Sequence, residues 1–157
     1  MAAQGQSDPF PQIAKAYLVQ VDGISIWEHR SNDRLPPASL TKLMTALLVL
    51  EQGQLQEVAS ISRASARETG SRIGLKAGER FRVKDLLAAT MIASSNDACH
   101  ALADHLGRSE AGFVARMNRR AKKLGMRDTH FTNACGHDAT KHYSSAHDLA
   151  RLAHELL

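Results

Sequence analysis

The sequence predicts an α+β domain, with one short β-hairpin near the start followed by a mostly helical block. Two β-rich runs, residues 16–21 and 24–28, are separated by Asp22-Gly23, the pair that favours a type I′ turn. Apolar positions spaced three and four apart then recur through the later segments, which are punctuated by Ser, Asn and Gly. A hydrophobic content of 43% against 23% charged is ordinary for a globular chain, and 157 residues suffice for one sizeable core.

After the hairpin, residues 29–33 read as a polar loop. Pro36-Pro37 cannot continue a strand and holds the chain extended into the next helix. That helix is predicted over 39–52 from the run Leu43-Met44-Thr45-Ala46-Leu47-Leu48-Val49-Leu50, with Gly53 placed to end it. Residues 55–69 show no clear period, and Val58, Ile61 and Ala64 are the expected buried positions. Alternation around Gly78 in 73–83 suggests a second short hairpin.

Helical periodicity returns over 83–93, breaks at Ser94-Ser95, and resumes over 96–106 with Ala98, Leu102 and Leu106 as the inward stripe. Ser109 is the expected cap of the next helix, which turns Phe113, Val114, Met117, Ala121 and Leu124 inward before Gly125 stops it. Residues 129–143 read as irregular. A last helix starts at Ser145, where Asp148 gives capping-box spacing, and it is still running at Leu157, so the chain is expected to be truncated.

No stretch approaches the roughly 18 apolar residues of a transmembrane helix, and residues 1–9 lack the apolar centre of a secretory signal. Net charge is +4, and the densest basic run is Arg119, Arg120, Lys122 and Lys123. Aromatics are only 4% and none interleaves with that run, which argues against nucleic-acid binding and for the solvated face of a helix. Cys99 and Cys135 lack metal-ligand spacing with any histidine; they are expected as two unpaired thiols, with one disulfide as the alternative. No metal or other cofactor is expected.

Two hydroxyl-bearing sites stand at helix boundaries. Ser39 and Lys42 are three apart, so on a helix they face the same way, and the serine is a candidate nucleophile with the lysine as its base. The plainer reading makes Ser39 the cap of a core helix. Ser94-Ser95-Asn96 interrupts two helices where side chains can enter a cleft, although Ser and Asn are also common caps. Ser-x-x-Lys followed by Ser-x-Asn between helices is the pairing seen in penicillin-interacting serine enzymes.

With its flanks included, the chain resembles the low-molecular-mass penicillin-binding proteins, the serine-type D-alanyl-D-alanine carboxypeptidases of the peptidase S11 family. The resemblance runs in family order from Ala14-Lys15-Ala16-Tyr17 through residues 37–46, Gly70-Ser71-Arg72, Val83-Lys84-Asp85-Leu86-Leu87 and Ser94-Ser95-Asn96-Asp97-Ala98-Cys99. It continues through Met117-Asn118-Arg119-Arg120-Ala121, Leu124-Gly125-Met126, Thr129-His130-Phe131 and His142-Tyr143-Ser144-Ser145-Ala146. It implies a penicillin-binding-protein/β-lactamase-like transpeptidase fold, here incomplete: a flexible segment over 1–13 and a partial catalytic domain over 14–157, without the C-terminal sheet strands.

The resemblance further implies that Ser39 attacks the penultimate D-alanine carbonyl of a peptidoglycan stem peptide. Lys42 would be the base, Ser94 the proton-relay hydroxyl and Asn96 the substrate-amide binder. β-Lactam antibiotics would acylate the same serine, and the location would be the periplasm or cell envelope. Relatives carry a third motif, Lys-Thr-Gly, downstream of Ser-x-Asn, and none follows here. Lys76-Ala77-Gly78 is a decoy, because it precedes Ser-x-Asn. The 157 residues alone are therefore expected to be inactive or weakly active, unless another chain or a further segment completes the sheet.

A second departure is Asn133-Ala134-Cys135-Gly136-His137-Asp138, where relatives usually have Gly-Leu-Asp; His137 is expected on a surface loop, with tuning of deacylation from the cleft as the alternative. Cys99 is expected to be a small buried residue, or else a site of thiol-reagent sensitivity. The small middle residue of Ser94-Ser95-Asn96 favours the carboxypeptidase over the related DD-endopeptidases. A catalytically inactive peptidoglycan- or β-lactam-binding module is the alternative from another class.

Overall fold

The computed structural model describes Asp8 and residues 11–157. Residues 1–7, 9 and 10, most of the expected flexible N-terminal segment, lie outside the described residues.

β1 (Tyr17–Val21) and β2 (Ile24–His29) form the antiparallel hairpin, with Val21 opposite Ile24 and a bulge after Val19. Asp22 and Gly23 both have positive φ, 50° and 76°, as a type I′ turn requires. Leu35 then pairs with Ser144 as an isolated bridge, which holds the double proline against the far end of the chain. The expected start of the next helix at Ser39 is corrected in detail. Ala38–Thr41 is a 3₁₀ turn, and α1 proper spans Lys42–Gln52. Gly53 closes α1 at φ 69°.

The second hairpin differs from expectation. β4 (Arg80–Arg82) pairs with β3 (Val58–Ser60), not with residues 73–77, so Gly78 turns the chain without joining two consecutive strands. That pairing also resets the buried positions: Ala59 and Ile61 are inside, while Val58 and Ala64 are exposed. Val58 and Ser60 face outward on either side of Ala59, and a strand of three residues gives too few positions for the sequence to show that phase.

α2 (Val83–Ile92) and α3 (Asn96–Gly107) are separated by Ala93, Ser94 and Ser95, and α4 (Glu110–Lys123) and α5 (Ala146–Leu156) follow. α3 lies at the centre, packed against α1, α2, α4 and β3. Its Ala98, Leu102 and Leu106 are buried as predicted, as are Phe113, Met117 and Ala121 of α4. Ser109 and Ser145 cap their helices by accepting the Gly112 and Asp148 amides. Asp148, however, does not complete the capping box; its carboxylate accepts the Asp128 amide and the Thr129 hydroxyl instead.

Two further expectations are corrected here. Cys99 and Cys135 form a disulfide, because α3 packs against the 132–137 loop and brings their Cα atoms to 5.9 Å; no free cysteine exists among the described residues. The basic run of α4 is only partly a solvated face. Arg120 spans from Glu51 on α1 to Glu155 on α5, leaving Arg119, Lys122 and Lys123 exposed. Among the described residues no helix is long and apolar enough to cross a membrane.

Candidate active site

The 3₁₀ turn and the α2–α3 junction meet at two hydroxyls. Ser94 Oγ donates to Ser39 Oγ over 2.9 Å, although 55 residues separate them in sequence. Neither serine caps a helix. Ser39 makes no capping bond, and Ser95 occupies the N-cap of α3 while donating its hydroxyl to Asp97 Oδ1 at 2.6 Å.

The backbone on both sides of this pair is in an uncommon conformation. Ala38 has φ 47° and Ser94 has φ 52°, in the left-handed region where a side chain costs about 1–2 kcal/mol. Such positions persist where surrounding structure over-determines them, and they cluster at functional sites. At Ala38 the over-determining contact is Gly136, whose own φ is 93° and whose missing Cβ would overlap the Ala38 carbonyl.

Lys42 sits one turn into the helix from Ser39, and its ammonium is buried. Nζ has three partners: Ser39 Oγ at 3.2 Å, Asn96 Oδ1 at 2.8 Å and the Cys135 carbonyl at 2.8 Å. Burial lowers its pKa below the ordinary lysine value, and the charge of Glu68 opposes that shift. This geometry suits either protonation state. A neutral amine satisfies Asn96 and Cys135 with its two N–H groups and presents its lone pair to the Ser39 hydroxyl.

Asn96 is held at both ends, because its Nδ2 donates to the Thr69 carbonyl at 2.7 Å. Gly70, next in sequence, has φ 77° and leaves room where a Cβ would crowd the Asn96 amide. The four residues expected at the site, Ser39, Lys42, Ser94 and Asn96, are thus brought together by one chain of hydrogen bonds. Ser39, Lys42 and Ser94 border a cleft of about 500 Å³, whose other lining includes Leu40, Thr90 and Met91.

Several supporting groups are not legible as motifs. Asp97 is buried beneath the Ser-x-Asn turn and accepts the Ile73, Gly74, Leu75 and Ala98 amides as well as the Ser95 hydroxyl. Burial pushes its pKa up, but these donors outweigh burial and hold it below the ordinary 3.8. On the other side, His142 Nδ1 accepts the Thr132 amide, which leaves Nε2–H to donate to Thr41 Oγ1 at 2.8 Å. Burial keeps its pKa below the ordinary histidine value. Thr45 Oγ1 donates to the Ala134 carbonyl at 2.7 Å, so α1 is fastened to the 132–142 segment at two successive turns. An aspartate directly after Ser-x-Asn was the one available signal. The Thr41–His142 and Thr45–Ala134 contacts join residues 101 and 89 positions apart.

His137 lies on a loop, as expected, and also has a partner. It is 38% exposed, and its Nε2 lies 2.8 Å from Glu68 Oε2. Lys76, by contrast, lies exposed in the turn before Gly78, with its backbone amide bonded to Glu79. Among the described residues there is no cluster of His, Cys, Asp and Glu arranged to hold a metal ion.

A family model described as Peptidase S11, D-alanyl-D-alanine carboxypeptidase, matches residues 5–157. The D-alanyl-D-alanine carboxypeptidase DacF of Bacillus subtilis is 43% identical over 148 residues, covering 90% of this chain and 38% of the relative. DacD of Escherichia coli is 38% identical over 141 residues, covering 83% of this chain and 36% of its own length. Among solved structures, penicillin binding protein 5 from Haemophilus influenzae superposes with a TM-score of 0.87 at 30% identity, over 95% of this chain and 46% of that one. The chain therefore spans a little over a third of the length of these curated relatives. Within that span the fold is that of the penicillin-binding transpeptidases, with small sheets and five α-helices among the described residues. The chain belongs to the peptidase S11 family of D-alanyl-D-alanine carboxypeptidases.

Proposed function

We propose that the protein is a serine-type D-Ala-D-Ala carboxypeptidase of the bacterial cell envelope, acting through an acyl-enzyme on Ser39. The single observation that supports this most is the Lys42 amine, buried and shared between Ser39 Oγ, Asn96 Oδ1 and the Cys135 carbonyl. A buried lysine with two fixed acceptors can hold a lone pair toward a serine hydroxyl, which is how an otherwise weak nucleophile is activated.

In this mechanism Lys42 takes the Ser39 proton as Oγ attacks the carbonyl of the penultimate D-alanine. The tetrahedral centre collapses and its C–N bond breaks; the leaving D-alanine nitrogen takes the proton that Lys42 removed, relayed through Ser94 Oγ, which is hydrogen-bonded to Ser39, and Lys42 is neutral again. Water then attacks the ester and releases the shortened stem peptide. Ser39 lies in the first turn of a helix, where N–H groups have no intrahelical partner, so its amide is one donor to the developing oxyanion. Asn96 orients Lys42 through Oδ1, and the second N–H of its Nδ2 is the group available to a substrate carbonyl.

β-Lactams follow the same route, because their strained amide presents a carbonyl where the D-Ala-D-Ala peptide bond would lie. The relatives' names place cleavage of D-alanyl-D-alanine in this family, and the small buried Ser95 between Ser94 and Asn96 favours it over cross-link cleavage. Incubation of the protein, expressed from its own gene, with a Lys-D-Ala-D-Ala peptide tests the reading. Release of D-alanine that disappears in Ser39→Ala supports it. Release that survives the substitution, or a cross-linked dimer cut faster than the linear peptide, overturns it.

A further inference from the structure

Glu68 belongs to no motif, yet three segments that touch Lys42 or Asn96 meet at its carboxylate. It follows the 3₁₀ turn Ser65–Arg67 and precedes Thr69, whose carbonyl holds the Asn96 amide. Oε1 lies 2.5 Å from His100 Nδ1 on α3, four residues after Asn96. Oε2 lies 2.8 Å from His137 Nε2, two residues after Cys135, the carbonyl acceptor of Lys42. One side chain thereby joins the Thr69 segment, the Asn96 helix and the Cys135 loop.

We propose that Glu68 is a positioning residue for Lys42: by bridging His100 to His137 it holds the Cys135 carbonyl and the Asn96 side chain at the lysine amine. The proposal rests on the serine-hydrolase reading above and adds to it a part that neither motif contains. The physical reason lies in the amine. A neutral lysine presents its lone pair to Ser39 only if both of its N–H groups are held elsewhere, by Asn96 Oδ1 and by the Cys135 carbonyl. If the loop drifts, the amine rotates and an N–H replaces the lone pair at Ser39.

The 133–138 loop needs such a fastening because its own bonds are local. Asn133 Oδ1 accepts the amides of Cys135, Gly136 and His137, which shapes the loop without attaching it to the helices. Its outward attachments are the Cys99–Cys135 disulfide, the Ala134 amide on Glu110, the Thr45 hydroxyl and the Lys42 amine on the Ala134 and Cys135 carbonyls, and the His137–Glu68 bond, which alone of these ties the loop to the segment before Thr69. The Glu68 carboxylate is 15% exposed and the His100 ring 12%, so neither relies on water to complete its partners.

The charges facing this bridge are Lys42 from α1, His100 and Asp104 from α3, Glu110 from α4, and His137 from the loop. His100 Nε2 lies 3.5 Å from Asp104 and 3.9 Å from Glu110. Burial disfavours the charged His100 ring, but the bond to Glu68 and the carboxylates of Glu110 and Asp104 outweigh it and raise its pKa. Burial likewise opposes ionised Glu68, and the two histidines outweigh it. The bridge is therefore a carboxylate between imidazoles, and its negative charge also acts on Lys42.

Two measurements on the protein expressed from its own gene test the role. The first is the rate of covalent labelling by a fluorescent penicillin across pH. The second is the ¹³Cε titration of Lys42 in lysine-labelled protein, assigned by Lys42→Arg, which does not depend on activity. A carboxylate favours the ammonium, so Glu68→Gln should move both the acid limb of labelling and the Lys42 midpoint to lower pH. Glu68→Ala and His137→Leu should lower the limiting rate roughly tenfold, since a misplaced catalytic group can cost up to ~100-fold. His137→Gln, which keeps an N–H for Glu68, should recover most of it. The proposal is overturned if Glu68→Gln leaves the Lys42 midpoint in place, or if Glu68→Ala in folded protein labels at the wild-type rate. If the wild type is not labelled at all, the hydrolase reading falls, while the positioning role is still decided by the Lys42 titration in His137→Leu, whose midpoint should move and return in His137→Gln.

Discussion

α4 and the α2–α3 junction are both short stretches of the same core, yet they are built by opposite means. α4 obeys local rules throughout. A serine caps it, an acidic residue opens it, basic residues close it, and its apolar stripe of Phe113, Met117 and Ala121 is buried. The junction breaks those rules. Ser94 takes a left-handed φ, Ser95 gives its hydroxyl to Asp97 instead of a helix amide, and Asn96 turns inward to a buried lysine. One region spends its residues on stability, and the other on placing polar groups where water is scarce. Substitutions in the two regions should therefore separate stability from chemistry.

The largest expected effect is on chemistry alone. Lys42→Met should reduce penicillin labelling of Ser39 by about 10²–10⁴, the range for loss of a general base, with secondary structure intact by circular dichroism. Phe113→Ala should do the reverse. A fully buried phenylalanine is worth about 3–5 kcal/mol on truncation, so the melting temperature should fall while the labelling rate of folded molecules is unchanged. If Phe113→Ala slows labelling as much as Lys42→Met, the contrast between the regions fails.

Asp97 sits where the two kinds of effect meet. Asp97→Ala leaves several amides of the 73–75 segment without an acceptor, at about 1–3 kcal/mol for each buried group, and loosens the turn carrying Asn96. Both melting temperature and labelling rate should drop. Because the folded pKa of Asp97 lies below 3.8, its contribution is complete above the unfolded value and is lost as pH falls through the folded one. Wild-type stability should therefore decline below about pH 4, and Asp97→Asn should flatten that decline in acid unfolding curves.

The smallest effects should come from Ala38 and Arg120. Ala38→Gly removes about 1–2 kcal/mol of left-handed strain against about 0.5–1 kcal/mol of added chain entropy. Stability should hold or rise slightly in urea denaturation. Arg120→Ala removes a partly exposed double ion pair, worth less than about 1 kcal/mol and reduced further by salt.

How much of this was legible in the sequence follows the same division. Helices such as α4 and α3 could be read because their information is periodic and local. Ser39 with Lys42, and Ser94 with Asn96, were visible because each pair lies within one helical turn or one junction. Glu68, the Cys135 carbonyl, Gly136 and the disulfide were not, because each acts only after distant segments close on one another. Gly136 meets Ala38 across almost a hundred residues, and no periodicity announces that contact. The short pairing of Val58–Ser60 with Arg80–Arg82 was missed for the same reason: its partner is not the neighbouring segment.

In the proposed mechanism Ser39 is the nucleophile and Lys42 its base. Tryptic mass spectrometry of the protein, expressed from its own gene and treated with benzylpenicillin, tests it most directly. A penicilloyl adduct is expected on the peptide containing Ser39, absent in Ser39→Ala and slowed in Lys42→Met. An unmodified Ser39 peptide from folded protein, or an adduct on another residue, would contradict it.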